Sequence, residues 1–333
     1  MSDAPVSLWD LSDLCTPWCV HVSATLRVAD HIDAGHTSLD ALASACACDP
    51  RYLGLMLRHL VAKGVFTEPT PGHFTLNDAA RGFLDPAFRL GLDLDRLGGR
   101  MAGAWGTLLK VVRTGKPAYA DVFGRAFWAD LDEHPEIAAD FDALMGPDGH
   151  GTPDPDVLID GDWSRVRTVV DVGGGTGAML AEILRAYPQV RGTLLDLPKT
   201  VARASATFEK AGVLDRVRTV GQSFFDPIPA GADLYLLVKV VSNWTNGDLD
   251  VILKRCAGAL GPEGRLVIIG GVTPADRPPT LTIETVLIGG MNHGLDEFGR
   301  IAADAGLEVR RAGTQPSGRF VVECARRPGA PVI

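Results

Sequence analysis

The chain has 333 residues, a length that suits two domains better than one core. Its net charge of −9 argues against non-specific binding to nucleic acid, and no basic cluster offsets that charge. The sequence contains no uncharged apolar stretch of about 18 residues, and its amino end carries no basic segment followed by an apolar one. We therefore expect a cytoplasmic protein that binds neither nucleic acid nor membrane.

The six cysteines form neither a zinc-ligand spacing nor a disulfide framework. Cys46 and Cys48 are separated by a single residue, which is the wrong spacing for a redox pair, and their alanine-rich surroundings favour packing in a helix. Histidines and carboxylates are not clustered at ligand spacing either. The sequence therefore predicts reduced cysteines in a reducing compartment, and it predicts no metal.

Residues 1–90 are predicted to form a small helical domain that contains one hairpin. A helix is expected over 39–47 and another over 50–63, each opened by a residue typical of a helix start. Strands over 65–67 and 73–76 flank a turn rich in proline and glycine. Helices followed by such a hairpin predict a winged helix.

Residues 91–150 carry aromatic and apolar side chains at helical spacing, which predicts a helical linker. That pattern is typical of an ordinary core stripe as well as of a binding pocket. Four of its side chains are candidates for an acceptor pocket: Trp105, Phe127, Phe141 and Met145. The stretch 146–155, rich in Pro, Gly and Asp, predicts a hinge into the next domain.

The strongest functional signal is the glycine-rich turn Asp171–Gly177 (DVGGGTG). It follows an apolar strand and precedes a helix predicted over 178–187. Glycines allow a tight turn and remove side chains, so that backbone N–H groups can approach a ligand. The next strand, 192–195, is followed by Asp196, whose carboxylate can accept both ribose hydroxyl hydrogen bonds. We therefore expect a nucleotide-type cofactor on this turn.

Three other interpretations of this turn were weighed. A P-loop requires Lys followed by Ser or Thr after its last glycine, whereas Ala178 and Met179 stand there, and this excludes it. The dinucleotide fingerprint needs a glycine where the chain has Ala178, which leaves only a weak match. An ordinary glycine-rich turn stays open, although its pairing with Asp196 is less common than either feature alone.

Strands alternate with helices through residues 151–333, which predicts an α/β domain with a doubly wound, parallel, Rossmann-like sheet. The later predicted elements are strands over 217–221, 234–241 and 265–270 and a helix over 249–260. In such sheets the ligand lies beyond the carboxyl ends of the strands. The glycine turn and Asp196 both fall at those ends.

The glycine turn together with Leu194–Pro198 (LLDLP) resembles the class I S-adenosylmethionine-dependent methyltransferases. The likeness is to their small-molecule O-methyltransferase family, and in particular to members acting on bacterial aromatic polyketides and anthracyclines. It runs over nearly the whole chain and includes residues 16–18, 24–31, 57–60, 223–227, 243–244 and 305–307. The resemblance implies that the winged-helix domain is a dimerisation domain and that the chain forms a homodimer.

The resemblance also implies S-adenosylmethionine as the cofactor. The residues that it assigns to the cofactor are Asp171, Gly173 and Gly175 at the turn, with the two glycines near the methionine part, Asp196 at the ribose, Leu197 and Phe224 at the adenine faces, and Ser223 at the adenine amino group. Val238 is added because many relatives have a lysine at its position. Lys239 lies one step out of register, and that step can turn it to the other face of the strand.

The resemblance shows a departure where the family carries its base. Relatives that methylate phenols have His-Asp-Trp after the fourth strand of the sheet, and the histidine removes the phenolic proton. This chain has Ser242-Asn243-Trp244, and a serine without a neighbouring base cannot take a proton at neutral pH. Two family glutamates that orient the histidine are replaced by Gly270 and Asn292.

Several residues around this departure are candidates for chemistry or for acceptor binding. Ser242, Asn292 and the nearby His293 are the catalytic candidates, with a loop or helix-entry role as the alternative for His293. Trp244 and Met291 are implied as acceptor-pocket residues, with apolar packing as their alternative. The acceptor is expected to be a small aromatic, quinone or polycyclic molecule.

Three functions remain open from the sequence. The first is methyl transfer to an oxygen or nitrogen of a small natural product, since a neutral amine or an acidic phenol needs no base and alignment of the reactants supplies acceleration. The second is a cyclisation, hydroxylation or decarboxylation that keeps the cofactor, because members of the anthracycline subgroup share the Asn-Trp pair and differ in chemistry. The third is a DNA-binding regulator, which the acidic balance disfavours.

Overall fold

The computed structural model of the chain describes residues 7–146 and 152–329. These residues belong to two compact units, each with its own core. One unit comprises Met1–Gly103 with Leu131–Gly149, and the other comprises Ala104–Asp130 with His150–Ile333.

Helices dominate the chain before residue 147. In chain order the elements are α1 (Leu8–Leu11), α2 (Cys15–Thr25), α3 (Val28–Asp33), α4 (Leu39–Ala45), α5 (Pro50–Ala62), β1 (Thr67–Thr70), β2 (His73–Thr75), α6 (Asp78–Arg81), α7 (Pro86–Leu92), α8 (Leu97–Trp105), α9 (Leu108–Thr114), α10 (Tyr119–Phe123), α11 (Phe127–Glu133) and α12 (Pro135–Met145). Strands β1 and β2 pair antiparallel as the wing of the helical unit.

Helix α5 shows how the sequence builds the helical unit. The Asp49 carboxylate accepts hydrogen bonds from two first-turn N–H groups, at 2.9 and 3.3 Å, and so caps the helix. Leu53, Leu57 and Leu60 recur at helical spacing and are buried in one cluster with Phe66. Burial of each such side chain stabilises the folded state by about 1.5–3 kcal/mol. The apolar face of this helix is therefore used for packing.

The second unit contains the sheet. Its later elements are β3 (Thr168–Val172), α13 (Ala178–Ala186), β4 (Arg191–Asp196), α14 (Pro198–Val201), α15 (Ser205–Ala211), β5 (Val217–Gly221), β6 (Leu234–Val238), α16 (Asn246–Ala259), β7 (Arg265–Ile269), β8 (Val272–Thr273), α17 (Ile283–Ile288), β9 (His293–Gly294), α18 (Leu295–Asp304), β10 (Leu307–Thr314) and β11 (Phe320–Arg326). Strands β8 and β9 form a separate short parallel pair.

Seven strands form the main sheet in the order β10-β11-β7-β6-β3-β4-β5. The five strands from β7 to β5 are mutually parallel, whereas β10 and β11 are antiparallel to their neighbours. The predicted doubly wound α/β class is therefore confirmed, with an antiparallel edge that the sequence analysis did not anticipate. The carboxyl ends of β6, β3, β4 and β5 lie side by side at one edge of the sheet.

Both faces of the sheet are buried at its centre, as the alternation along β6 shows. Leu234 and Leu236 pack into one core cluster, while Tyr235 and Leu237 pack into the other. Successive strand residues point to opposite faces, so a strand covered on both sides must be apolar throughout. This explains why the strand has no polar positions among these four residues.

Among the strand boundaries that differ from the prediction, two differ because of a residue in the left-handed conformation. The strand expected over 65–67 begins only at Thr67, because Phe66 has φ +73°. The strand expected over 234–241 ends at Val238, because Lys239 has φ +57°. Bulky residues rarely adopt such angles, and the angles interrupt an extended backbone.

The predicted division into 1–90, 91–150 and 151–333 stays a prediction, and residues 147–151 of the expected hinge 146–155 lie outside the described residues. Within the described ranges, no helix combines the length and apolar character that a membrane span requires.

Asp233 ties the amino ends of β3 and β6 together, and this generates a prediction about stability. Its Oδ2 accepts hydrogen bonds from the N–H groups of Arg167 and Thr168 and from Thr168 Oγ1, each at 2.9 Å. Although burial opposes ionisation, these bonds hold the pKa of Asp233 below its usual value. We expect Asp233→Ala to lower the free energy of unfolding by about 1–3 kcal/mol at neutral pH.

The pH dependence follows from the lowered pKa. The Asp233 contribution is present above the unfolded-state pKa of about 4 and disappears as pH falls through the folded-state value. Urea unfolding of the parent protein and of Asp233→Ala over a pH series measures this pH dependence. Glu263→Ala, at an exposed turn, is the matched acidic control. An Asp233→Ala midpoint equal to that of the control would contradict the assignment.

Candidate active site

The glycine turn lies between the carboxyl end of β3 and the start of α13. The Gly173 N–H donates a hydrogen bond to the Leu195 carbonyl at 2.8 Å, which fixes the turn to the neighbouring strand β4. A Cβ atom at Gly173 would lie 3.0 Å from Val240 and 3.2 Å from Phe224. The turn therefore brings the ends of β3, β4 and β6 and the segment after β5 into one neighbourhood.

Asp171 is a fully buried carboxylate beneath this turn. Neither of its oxygens has a hydrogen-bond partner among the described residues. A Cβ atom at Gly174 would lie 2.4 Å from Asp171 Oδ2, so only glycine lets the turn pass so close to the carboxylate. Burial, together with the charge of Asp196, raises the pKa of Asp171 to about 7. A cation or a hydrogen-bond donor placed here would be strongly stabilised.

Asp196 ends β4 and faces the same turn. Its Oδ2 accepts the Gly175 N–H at 2.8 Å, and its Oδ1 accepts the Leu197 N–H at 2.7 Å. Burial raises the pKa of Asp196, and these two N–H groups only partly offset that effect. No atom lies within 4 Å of a Cβ built at Gly175, so there is space on that side of the turn. The carboxylate is thus held in place beside open volume.

Aromatic rings form the next part of the site. Phe224 meets Trp244 edge to face, with ring centroids 5.5 Å apart, and Phe225 meets Trp244 at 4.9 Å. Ser223 Oγ accepts the Phe225 N–H at 3.2 Å, which shapes the segment after β5. Leu197 is 44% exposed and offers an apolar face near Asp196. This arrangement supplies flat apolar surfaces next to two carboxylates.

The residues present fit S-adenosylmethionine, the cofactor that the sequence predicts. That molecule combines ribose hydroxyls, a positive sulfonium, an ammonium group and a flat adenine. Asp196 offers acceptors to hydroxyl donors, and the unpartnered oxygens of Asp171 offer negative charge below the turn. Phe224 and Leu197 offer apolar surface to a ring. The individual roles stay predictions, as does that of Val238, which is partly exposed at the end of β6.

Ser242 lies on a single 3₁₀ turn, Val241–Asn243, after β6. Two glycines enclose its backbone, since a Cβ at Gly271 would lie 2.6 Å from Ser242 N and one at Gly290 would lie 2.0 Å from Ser242 O. Asn243 Nδ2 donates to the Lys239 carbonyl at 3.1 Å. The turn is therefore rigidly placed, but it presents a hydroxyl and an amide rather than a base.

The enclosure by Gly271 and Gly290 was missed in the sequence analysis. Both glycines are distant from Ser242 along the chain, so only the fold brings them to its backbone. Lys239 is a second feature that the sequence does not reveal. Its left-handed backbone at the end of β6 is unusual for a lysine. Such strain is not visible in the sequence.

His293 is completely buried in the short strand β9. Neither ring nitrogen has a hydrogen-bond partner among the described residues, and Nδ1 lies 3.6 Å from Glu297 Oε2. Burial lowers the pKa of His293, and Glu297 only partly counteracts this. The ring is therefore neutral at physiological pH, and its role as a base stays a prediction. Asn292 beside it is partly exposed.

The acceptor-pocket candidates differ in accessibility. Trp105 and Met291 are 41% and 42% exposed, so a ligand can reach them. Phe127 is only 2% exposed and packs edge to face against Tyr119 at 5.5 Å. Phe141 and Met145 lie on α12 in the helical unit. Pocket roles for all of these residues, and for Trp244, stay predictions.

Comparison with known proteins identifies the family. A model of the O-methyltransferase domain matches residues 105–308, and a model of the O-methyltransferase dimerisation domain matches residues 9–86. The chain belongs to the O-methyltransferase family. This confirms the predicted S-adenosylmethionine-dependent methyltransferase and its cofactor, and the match over the front segment supports the predicted homodimer.

Relatives of this methyltransferase come from antibiotic-producing bacteria. The 2,7-dihydroxy-5-methyl-1-naphthoate 7-O-methyltransferase of Streptomyces carzinostaticus is 39% identical over 315 residues, covering 93% of this chain and 94% of the relative. The aclacinomycin 10-hydroxylase of Streptomyces purpurascens is 38% identical over 332 residues, covering 95% and 87%.

A solved structure supports the same family. An O-methyltransferase from neocarzinostatin biosynthesis, in complex with S-adenosylmethionine and 2-hydroxy-5-methyl naphthoic acid, shares 38% sequence identity with this chain. The two structures match with a TM-score of 0.89, and the match covers 97% of this chain and 99% of the other. The fold of this methyltransferase is therefore shared with that enzyme over nearly its full length.

The raised pKa of Asp171 predicts that cofactor affinity depends on pH. A cation near Asp171 favours the ionised form, so affinity should rise by up to about tenfold per unit as pH increases towards 7 and should level off above it. Isothermal titration calorimetry with S-adenosylmethionine between about pH 6 and pH 8 measures this. Asp171→Asn removes the titrating group, while titration of the ligand's own amino group remains. Equal pH dependence in both proteins would contradict the role of Asp171.

Asp196 gives a second prediction about the cofactor. Asp196→Ala should weaken binding by about 1–3 kcal/mol, because charge-assisted hydrogen bonds to the ribose are lost and the Gly175 N–H loses its acceptor. Calorimetry at fixed pH measures the dissociation constant. Asp196→Asn keeps one oxygen acceptor and serves as the matched control, with a smaller expected loss. Unchanged affinity in the alanine variant would refute the assignment.

Proposed function

We propose that this methyltransferase transfers a methyl group to an oxygen or nitrogen of a small aromatic, quinone or polycyclic natural product in secondary metabolism. We further propose that it does so without the usual histidine base of the family, by positioning the acceptor. The predicted cytoplasmic location is part of this proposal.

The observation that carries the proposal is Ser242 at the position of the family base. An unassisted hydroxyl cannot accept a proton at neutral pH, and the positions of the two orienting glutamates hold Gly270 and Asn292. The turn at Ser242 is nevertheless rigid, because Gly271 and Gly290 enclose its backbone. A site with a rigid turn and no base at Ser242 supports catalysis by alignment, for which effective molarities reach about 10⁵ M or more.

The chemistry of the acceptor must then supply the nucleophile. A neutral amine already presents its lone pair, and a phenol of low pKa is partly ionised near neutral pH. S-adenosylmethionine, when bound, supplies an electrophilic methyl on a positive sulfur. The chain's contribution is to hold the acceptor against Trp244 and Met291, to orient the cofactor through Asp171 and Asp196, and to exclude water with Phe224.

The relatives favour an aromatic acceptor. The similar enzyme from Streptomyces carzinostaticus is named for a hydroxylated naphthoate, and the solved relative is bound to a hydroxynaphthoic acid. Each of these two similarities extends over more than nine-tenths of this chain. An aromatic hydroxyl is therefore the first acceptor group to test.

A second candidate function rests on the other relative. The aclacinomycin 10-hydroxylase is nearly as similar to this chain, at 38% identity, and it is named for a hydroxylation. A member of the family that keeps the cofactor site while performing a different reaction on a polycyclic acceptor is therefore the alternative. Such a protein would bind S-adenosylmethionine and form product without consuming its methyl group.

Mass spectrometry with methyl-labelled S-adenosylmethionine separates the two functions. The purified protein is incubated with hydroxynaphthoates, hydroxyanthraquinones, anthracyclines and aryl amines. We expect one labelled methyl on product and one S-adenosylhomocysteine per turnover. Product without label would overturn methyl transfer and establish the alternative.

The same assay tests the absence of a base. A general base contributes about 10²–10⁴-fold, so Ser242→Ala should keep kcat within about tenfold of the parent value. Ser317→Ala, at an exposed turn between β10 and β11, is the matched control. A loss of 100-fold or more in Ser242→Ala alone would show that the serine takes part in proton transfer.

A further inference from the structure

Three side chains that commonly bind soft metal ions converge in the helical unit, in the part of the chain matched by the dimerisation-domain model. Cys15 and Cys19 lie one turn apart on α2, and His59 lies on α5. One ligand atom from each of the three lies within 4.8 Å of the others. The two sulfurs are 3.9 Å apart.

The helices themselves produce this cluster. Residues four apart on a helix share a face, so Cys15 and Cys19 project on the same side of α2. Helix α5 packs against α2 and brings His59 to that side. No metal is predicted from the sequence, because neither the cysteines nor the histidines and carboxylates show ligand spacing. The packing of the two helices is what unites Cys15, Cys19 and His59.

A hydrogen-bonded chain orients the imidazole. His59 Nε2 lies 2.8 Å from Thr16 Oγ1, and the Thr16 hydroxyl donates to Asp13 Oδ2 at 2.5 Å. Because that hydroxyl has a single proton, His59 Nε2–H is the donor to Thr16. The tautomer therefore leaves the lone pair on Nδ1. Fixing the ring through its other nitrogen is a recurring feature of metal-binding histidines.

The distances suit a tetrahedral ion. With metal–sulfur and metal–nitrogen bonds of about 2.3 and 2.0 Å, two ligand atoms at a tetrahedral angle are about 3.5–3.8 Å apart. The Cys15–Cys19 sulfur separation of 3.9 Å already matches, and the largest separation in the cluster exceeds this range by about 1 Å. Small side-chain rotations close such a gap.

We propose that Cys15, Cys19 and His59 bind Zn²⁺ or a similar thiophilic divalent cation. Thiolate and imidazole ligands are the set that such ions prefer. Cys15 is exposed, so water can fill the fourth coordination position. This site is separate from the candidate active site, and a bound ion would link α2 to α5.

Binding must release protons. Cysteine binds a metal as the thiolate, so binding of the cation displaces the thiol protons, and affinity should fall as pH decreases. Asp13 places a carboxylate beside the cluster, and Lys63 Nζ shares its charge at 3.4 Å from Asp13 Oδ2.

The test uses the full-length protein after removal of metals by a chelator under reducing conditions. Titration with Co²⁺ should give the intense absorption of thiolate ligation at one ion per chain, and Zn²⁺ should abolish that absorption. Zn²⁺ should also raise the melting temperature, because it binds the folded chain. Cys15→Ser and His59→Ala should each weaken binding by about tenfold or more.

Cys48→Ser is the matched control, since Cys48 is a partly buried cysteine of the same unit outside the cluster. It should leave the Co²⁺ titration unchanged, and circular dichroism verifies that every variant is folded. Absence of thiolate absorption in the parent, or its persistence in Cys15→Ser, would overturn the proposal. Formation of a Cys15–Cys19 disulfide by a mild oxidant in a protein that takes up no metal would also overturn it and assign a redox pair.

Discussion

The site depends on two carboxylates brought together by strand pairing. Strands β3 and β4 are neighbours in register, so Asp171 and Asp196 lie at the same edge of the sheet. One is fully buried without partners among the described residues, and the other is held by two backbone N–H groups. Their mutual repulsion is tolerable only if a positive ligand joins them or if one is protonated. The glycine turn, with no side chain at Gly174, makes this close arrangement possible.

The cofactor side and the acceptor side of the site differ in charge. Negative charge lies where a cationic cofactor is expected, whereas the acceptor side around Ser242 offers neutral groups on a rigid turn. His293 is buried and neutral, so it adds no charge on that side. In the proposed mechanism, the site binds the electrophile and aligns the acceptor with it. Such a site selects its acceptors by their own ionisation as much as by their shape.

Local sequence features predicted much of this molecule. The glycine turn, Asp196, the strand β6 and the helix α5 all follow from patterns within a few residues of each other. Features that depend on distant contacts were not predictable. The enclosure of Ser242 by Gly271 and Gly290 arises only when the ends of β6 and β7 meet the segment after α17. The antiparallel edge and the left-handed Lys239 likewise depend on tertiary packing.

The backbone at Gly270 bears on how such a site evolves. The resemblance aligns Gly270 with a family glutamate that orients the base, and the φ of Gly270 is +81°. A glutamate introduced there would be strained by about 1–3 kcal/mol in the present backbone. Restoring a histidine at position 242 would thus place an unsupported imidazole on the turn, and adding its carboxylate partner would first cost stability. A return to base catalysis therefore requires the backbone at Gly270 to change conformation before the side chains are replaced. This requirement makes such a return difficult.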